Sequence, residues 1–224
     1  MERSLKVIEI CLDEADDAGL SVVCFPECFL QGYTLDRDKT KERAVDLSSE
    51  YLQAILHRLS RYKTAFILGL IEKENDDFYN TAVVIWRGTL LGAYRKTHLF
   101  ESNFTPGTEY PVFSIGNLTV GINICYDARF SEGAAVLARQ GARVIFYPLN
   151  NRFSKEKAIK SREEPVPILI ERARETGCWV VSSDVVARDA DTTSYGCSAV
   201  VEPSGNVHTR VPELTVGMTT YELP

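Results

Sequence analysis

Apolar positions along the 224-residue chain follow two periods, and their succession outlines the fold. Leu5, Ile8, Leu12 and Ala15 fall at helical spacing over residues 2–17, and Gly19 stops that helix before the apolar run Ser21–Phe25, which predicts a buried strand. The unit recurs: Leu52, Ile55, Leu56 and Leu59 predict a helix over 48–62, and the unbroken apolar run Ala65–Ile71 predicts a strand. Two hairpins are predicted next, 81–86 with 89–94 around Arg87–Gly88, and 111–115 with 118–125 around Gly116–Asn117. Ser131 predicts the cap of a helix reaching Gln140, stopped by Gly141 ahead of a strand at 143–147. The polar, charged stretch 149–164 predicts a long surface loop, and Pro165 the start of another helix. Residues 178–183 and 197–203 read as strands, Ser204–Asn206 as a turn, and 214–223 as a last strand.

Helix–strand units mixed with hairpins predict an α/β sandwich in which helices cover sheets. With 45% hydrophobic residues the chain can bury one substantial core, so a single domain over 1–224 is expected. No apolar run approaches the roughly 20 residues that span a bilayer, and the first twenty residues lack the apolar centre of a signal peptide. A cytoplasmic protein with no membrane partner is the expectation. A net charge of −6 without a basic cluster argues against nucleic acid. The six cysteines are scattered and read as reduced thiols. Only Cys24 and Cys28 lie close together, and His57, His98 and His208 lie far apart, which is poor ground for a zinc site.

Three chemically capable residues each stand where a buried strand gives way to a loop: Glu27, Lys96 and Cys125. Glu27 leaves its strand through Pro26, which fixes the exit direction. Cys125 ends one strand and precedes a helical segment, the kind of turn that holds a nucleophile exposed. Convergence of the three strand ends would make a complete site. A thiol of ordinary pKa about 8.5 needs a base or a nearby cation to act as nucleophile, and Glu27 could take that proton. Lys96 and the backbone N–H of Tyr126 would then meet the negative charge developing on the substrate. Taken singly, such a cysteine is more often a core residue and such charges are more often solvated.

The neighbouring residues carry a specific resemblance. "FPE" at Phe25–Glu27, "YRKTHL" at Tyr94–Leu99 and "CYDARFSE" at Cys125–Glu132 resemble, in order, the motifs of the carbon-nitrogen hydrolase family, the nitrilase superfamily. The similarity continues through 141–148, 168–184 and 195–207. It implies a four-layer α-β-β-α sandwich, with Glu27 as general base, Lys96 as the stabilising cation and Cys125 as nucleophile, and no metal or organic cofactor. It also implies a homodimer or higher homo-oligomer. Many family members carry a second glutamate after the lysine; Glu101 is the candidate, with a solvated loop glutamate as the alternative. His98 is expected to anchor its loop, and Asp127 and Arg129 to pair beneath the cysteine turn.

The chain departs from the family in three places. It begins directly in the first helix, without the usual first strand. Asp184 stands where relatives often have Asn, and the loop 149–164 is unusually charged. Within that loop Arg152, Lys157 and Arg162 are expected to be solvated rather than to bind a substrate carboxylate. Tyr126-Asp127 after the cysteine is similar to the amidase-like branches, whereas nitrilases usually carry Trp-Glu. The resemblance therefore implies a thiol amidohydrolase acting on a small linear amide or carbamoyl compound. The alternatives are a nitrilase acting on a small nitrile, and a catalytically inert family member serving as a binding or assembly module.

Overall fold

The computed structural model describes residues 1–224. Helix α1 (Glu2–Asp17) buries Leu5, Ile8, Leu12 and Ala15, the stripe its spacing predicts, and leads through Gly19 (φ 66°) to the short strand β1 (Val22–Cys24). After α2 (Arg37–Arg43), α3 (Glu50–Leu59) is capped by Ser49, whose side chain accepts from the Leu52 N–H, and buries Leu52, Ile55, Leu56 and Leu59. Strands β2 (Ala65–Glu74), β3 (Asp77–Trp86) and β4 (Thr89–Arg95) complete a four-stranded sheet in the order β1-β2-β3-β4. The β2–β3 hairpin runs past Ile71 to a tip that the apolar run did not reveal, because its last residues are solvent-exposed. At the β3–β4 turn both Arg87 (φ 51°) and Gly88 (φ 73°) are left-handed, the primed geometry that matches strand twist.

The second sheet is built from β5 (Val112–Ile115), β6 (Leu118–Ile122), β7 (Val144–Pro148), β9 (Trp179–Ser183), β12 (Ala199–Val201) and β13 (Val207–Arg210), ordered β13-β12-β9-β7-β6-β5. Strands β6, β7 and β9 are parallel neighbours. Helices α4 (Ser131–Arg139) and α6 (Pro165–Thr176) cover its outer face. The layers are visible in how alternate residues divide between cores. Phe66, Leu68 and Leu70 of β2 pack with α1 and α3, whereas Ala65 and Ile67 meet Val144 and Phe146 of the other sheet. Ile145 and Tyr147 in turn pack with Leu137 of α4 and Leu169 of α6. Strands buried on both faces explain why these runs are apolar throughout rather than alternating. The order helix, sheet, sheet, helix is the expected four-layer sandwich.

Four expectations need correction. The charged stretch 149–164 is not all loop: β8 (Phe153–Ser154) pairs with β11 (Thr192–Ser194), which also pairs β10 (Ala187–Arg188), and α5 (Lys155–Lys160) follows. A helix that buries only Ala158 leaves no apolar period to read. Ser131 is the first residue of α4 and makes no capping bond, Phe130 occupying the cap. The predicted strand at 214–223 does not form. This tail lines a cleft of about 1150 Å³ together with Val22, Cys24, Trp86, Leu118 and Val181, opposite the outer edge of β1. That edge has no neighbouring strand, so neither it nor the tail has a ladder partner. The fourth, a side-chain pair beneath the cysteine, belongs to the site.

The α1 stripe generates a test. Leu12, fully buried against the first sheet, leaves a cavity when truncated. Leu12→Ala is expected to lower unfolding free energy by about 2–5 kcal/mol, read from the midpoint of urea denaturation.

Candidate functional site

The candidate groups assemble from strand ends. In the first sheet β1, β2 and β4 run the same way, so the exits of β1 and β4 lie at one end, where β3 begins. Glu27 follows β1, Lys96 follows β4, and Asn80 lies in β3 opposite them; the Lys96 N–H donates to the Asn80 carbonyl at 2.9 Å. For Glu27 to reach Lys96 the chain must cross β2, and it does so over Gly69. A Cβ there would lie 2.3 Å from the Pro26 carbonyl oxygen and 2.6 Å from the Cys28 nitrogen. Only glycine permits that approach.

Lys96 is 1% exposed, and its ammonium donates to Glu27 Oε1 and Glu101 Oε1, both at 2.8 Å. The loop after the lysine thus brings Glu101, 5% exposed, into the same buried cluster rather than leaving it in solvent. Asn80 Nδ2 donates to Glu27 Oε1 at 2.7 Å, and its Oδ1 accepts the Cys28 thiol. Tyr33 Oη donates to Glu101 Oε1 at 2.9 Å, and the Phe100 N–H to Glu101 Oε2 at 2.9 Å. Glu27 Oε2 has no partner although it is buried.

These partners set the charges. Burial works against the Lys96 ammonium, but the surrounding Glu27, Cys125 and Glu101 outweigh it and raise its pKa. Burial and the charge of Glu101 hold the Glu27 carboxyl above the usual range, against the pull of Lys96. Glu101 is desolvated too, yet Lys96 and its other donors bring it below the usual range. One ammonium between two unequal carboxylates drives their pKa values apart, the pattern that separates a permanent anion from a proton carrier.

Cys125 opens a 3₁₀ turn (Cys125–Arg129) immediately past β6 and is left-handed at φ 46°. Burial and Glu27 push its thiol up, while Lys96 and the Asn150 N–H pull the other way. The structure therefore brings Glu27 and Lys96 to bear on Cys125, with Glu101 joined to the group through Lys96. Tyr126 lies in the first turn of the 3₁₀ helix, where N–H groups have no partner inside the helix.

The expected Asp127–Arg129 pair is absent. Arg129 pairs with Glu164 on the surface, and Asp127, 2% exposed, accepts from the backbone N–H groups of Ile124 and His98 at 2.8 Å each and from Tyr94 Oη at 2.8 Å. Asp127 ties the cysteine turn to the lysine loop because three fixed donors satisfy a buried carboxylate better than one exposed guanidinium. His98 anchors that loop, stacked on Phe130 at 3.9 Å. Arg152 pairs with Asp189 and Arg162 with Glu213, while Lys157 sits over the rings of Phe100 and Phe153. Asn80 and Tyr33 were missed from sequence. A polar residue inside the strand "YNTAVVIW" was the available signal for Asn80; Tyr33 had none. No group of three or more His, Cys, Asp or Glu side chains is arranged to hold a metal.

The carbon-nitrogen hydrolase family model matches residues 2–224. The chain belongs to that family. It is similar to an omega-amidase of Xenopus laevis, 33% identical over 92% of this chain and 76% of the relative. It is also similar to a protein named nitrilase from Pyrococcus abyssi, 31% identical over 92% of this chain and 78% of that one. Among solved structures, Saccharomyces cerevisiae Nit3, a member of branch 10 of the nitrilase superfamily, superposes with a TM-score of 0.80 at 26% identity over 95% of this chain and 79% of its own. As a carbon-nitrogen hydrolase with amidase-named relatives, the protein is a hydrolase of C–N bonds.

The Asn80 bond to Glu27 supplies a prediction for this cluster. Asn80→Ala removes a donor that favours the ionised carboxylate, so the Glu27 titration moves to higher pH. The ¹³C shift of the Glu27 carboxyl followed against pH measures it.

Proposed function

We propose that the protein hydrolyses a small linear amide or carbamoyl compound through an acyl-enzyme on Cys125. The observation that carries this reading is the unpartnered, buried Glu27 Oε2 on a carboxyl whose other oxygen is held by Lys96 and Asn80. A base with one oxygen fixed and the other bare is oriented to exchange a proton.

Glu27 takes the Cys125 Sγ proton as the sulfur attacks the amide carbon. The carbonyl electron pair moves onto oxygen, where the Lys96 ammonium and the Tyr126 N–H oppose the new charge. Collapse of that intermediate breaks the C–N bond, and Glu27 returns the proton to the departing nitrogen. Water then attacks the thioester with Glu27 again as base, releasing the acid and restoring the thiol. Glu101, held ionised by its donors, keeps Lys96 charged through both halves. The thiol pKa stands high in the resting site, so proton transfer to Glu27 accompanies attack and a standing thiolate is not required. The left-handed backbone at Cys125 supports the reading as well, since strain of about 1–3 kcal/mol persists where geometry is needed for function.

A nitrile would use the same groups through a thioimidate, and the nitrilase names of some relatives support that reading. Asp127 bound to the lysine loop, in the Tyr126-Asp127 pair, favours the amide.

Ammonia release from a panel of small amides, omega-amides and carbamoyl compounds tests the proposal. Cys125→Ala is expected to lower turnover by about 10⁴-fold or more, and Lys96→Met by about 10²–10³-fold or more. Folded wild-type protein that turns over none of them, and whose Cys125 resists electrophiles, would instead support the inert binding module.

A further inference from the structure

Glu27 and Cys125 come from different sheets, and a third segment touches both. The turn Leu149–Asn151 leaves β7; its Leu149 carbonyl accepts the Glu27 N–H at 3.2 Å, and its Asn150 N–H is directed at the Cys125 sulfur. The turn is held in its turn from the end of β9. The Leu149 N–H donates to the Ser183 carbonyl at 2.8 Å. The Asn151 N–H donates to Asp184 Oδ1 at 3.0 Å, Asn151 Nδ2 to Asp184 Oδ2 at 2.8 Å, and the Val185 N–H to Asp184 Oδ1 at 2.8 Å. Asp184 is 8% exposed and pairs with no cation, so these donors are what keep its charge.

We infer that Asp184 is a positioning residue: its ionised carboxylate clamps the Asn150–Asn151 turn so that the Asn150 N–H meets the Cys125 sulfur, and its protonation releases that clamp. The inference rests on the reading of Cys125 as nucleophile. Protonation at Oδ2 turns that oxygen into a donor facing the Asn151 Nδ2 amide, which breaks that half of the clamp and leaves the turn on Oδ1 alone. Burial pushes the Asp184 pKa up to about 6, against the pull of Asn151 and Val185, which brings the change into a working pH range. The groups facing Asp184 are Cys125 across the turn and Cys197 ahead of β12, the latter also under the charges of Arg210 and Glu213. Arg162 and Tyr195 share with it a cavity of about 20 Å³. That is room for one water, a route for the proton.

The clamp and the bare charge of Asp184 predict opposite effects. The negative charge opposes thiolate formation at Cys125, so a purely electrostatic role means faster thiol reaction once Asp184 is neutral. The clamp means slower reaction. The experiment is alkylation of Cys125 by iodoacetamide between pH 5 and 8, read by mass spectrometry of the Cys125 peptide, which needs no amide substrate. Asp184→Ala is expected to slow labelling about tenfold at every pH. Asp184→Asn has the one acceptor and one donor of the protonated acid and no titrating group, so it should label slowly at pH 7 as well and lose the inflection near pH 6, leaving only that of Glu27; wild-type labelling rates in it would overturn the clamp. If Asp184→Ala does not fold, Asn151→Ala serves: loss of one donor to the carboxylate moves the inflection upward in pH. Labelling that is faster in Asp184→Ala, or an inflection unmoved in Asn151→Ala and retained in Asp184→Asn, overturns the clamp. Failure of the amidase reading is seen separately, as intact labelling of Cys125 without ammonia release.

Discussion

A lysine ammonium that is 1% exposed is tenable only with anions fixed around it, and that constraint organises this molecule. Lys96 is held between Glu27 and Glu101, one from the first strand exit and one from its own loop. Removing either carboxylate leaves a buried charge with half its compensation, so the turns that deliver them are fixed as firmly as a core side chain. Gly69 lets the first turn pass, Asn80 bridges the carboxylates, and Asp127 binds the lysine loop to the cysteine turn. Each of these residues serves the ion cluster before it serves any substrate.

The two carboxylates are chemically alike and physically different. Glu101 has donors on both oxygens, including a tyrosine hydroxyl and a backbone N–H, and remains an anion. Glu27 concentrates its donors on Oε1 and leaves Oε2 bare. Burial acts on both, and the difference in their partners separates the carboxyl held above the usual range from the one brought below it. On both sides of this pair the backbone is left-handed at a non-glycine residue, Cys28 (φ 49°) and Cys125 (φ 46°). The molecule holds both turns in conformations that an unconstrained chain would leave.

Strand runs such as Ala65–Ile71 and Val144–Tyr147 were legible because burial on both faces writes itself as unbroken apolar sequence. The three strand exits were legible because a charged or nucleophilic residue directly after such a run is conspicuous. Asn80 was harder to find, since one polar residue inside a strand has no period of its own. The partner of Asp127 was misjudged for a related reason. Adjacency in sequence favoured Arg129, whereas two of the donors that bind it, the His98 N–H and Tyr94 Oη, stand 29 and 33 residues away. Helix α5 and the tail failed at opposite ends of the same rule. One forms with almost no burial, and the other has strand-like sequence and no strand to pair with.

Glu27 follows the least extensive of the strands that deliver these groups: β1 is three residues long and paired on one edge only. The chain beyond β1 compensates by staying hydrogen-bonded to β2 without being a strand. The Phe25 N–H donates to the Ile67 carbonyl at 2.8 Å and the Leu30 N–H to that of Gly69 at 3.1 Å. One step further along β2, the Gln31 side-chain amide both donates to the Ile71 carbonyl at 2.9 Å and accepts the Ile71 N–H at 3.0 Å. A side-chain amide thereby takes the place of the next peptide group, and β2 keeps its outer edge satisfied to the level of the site. The Leu149 carbonyl closes the other side of the turn through the Glu27 N–H, so Glu27 is fixed by both sheets at once. Its position therefore depends on the distance between the sheets, which the core of Ile67, Val84, Ile122 and Phe146 sets by packing alone.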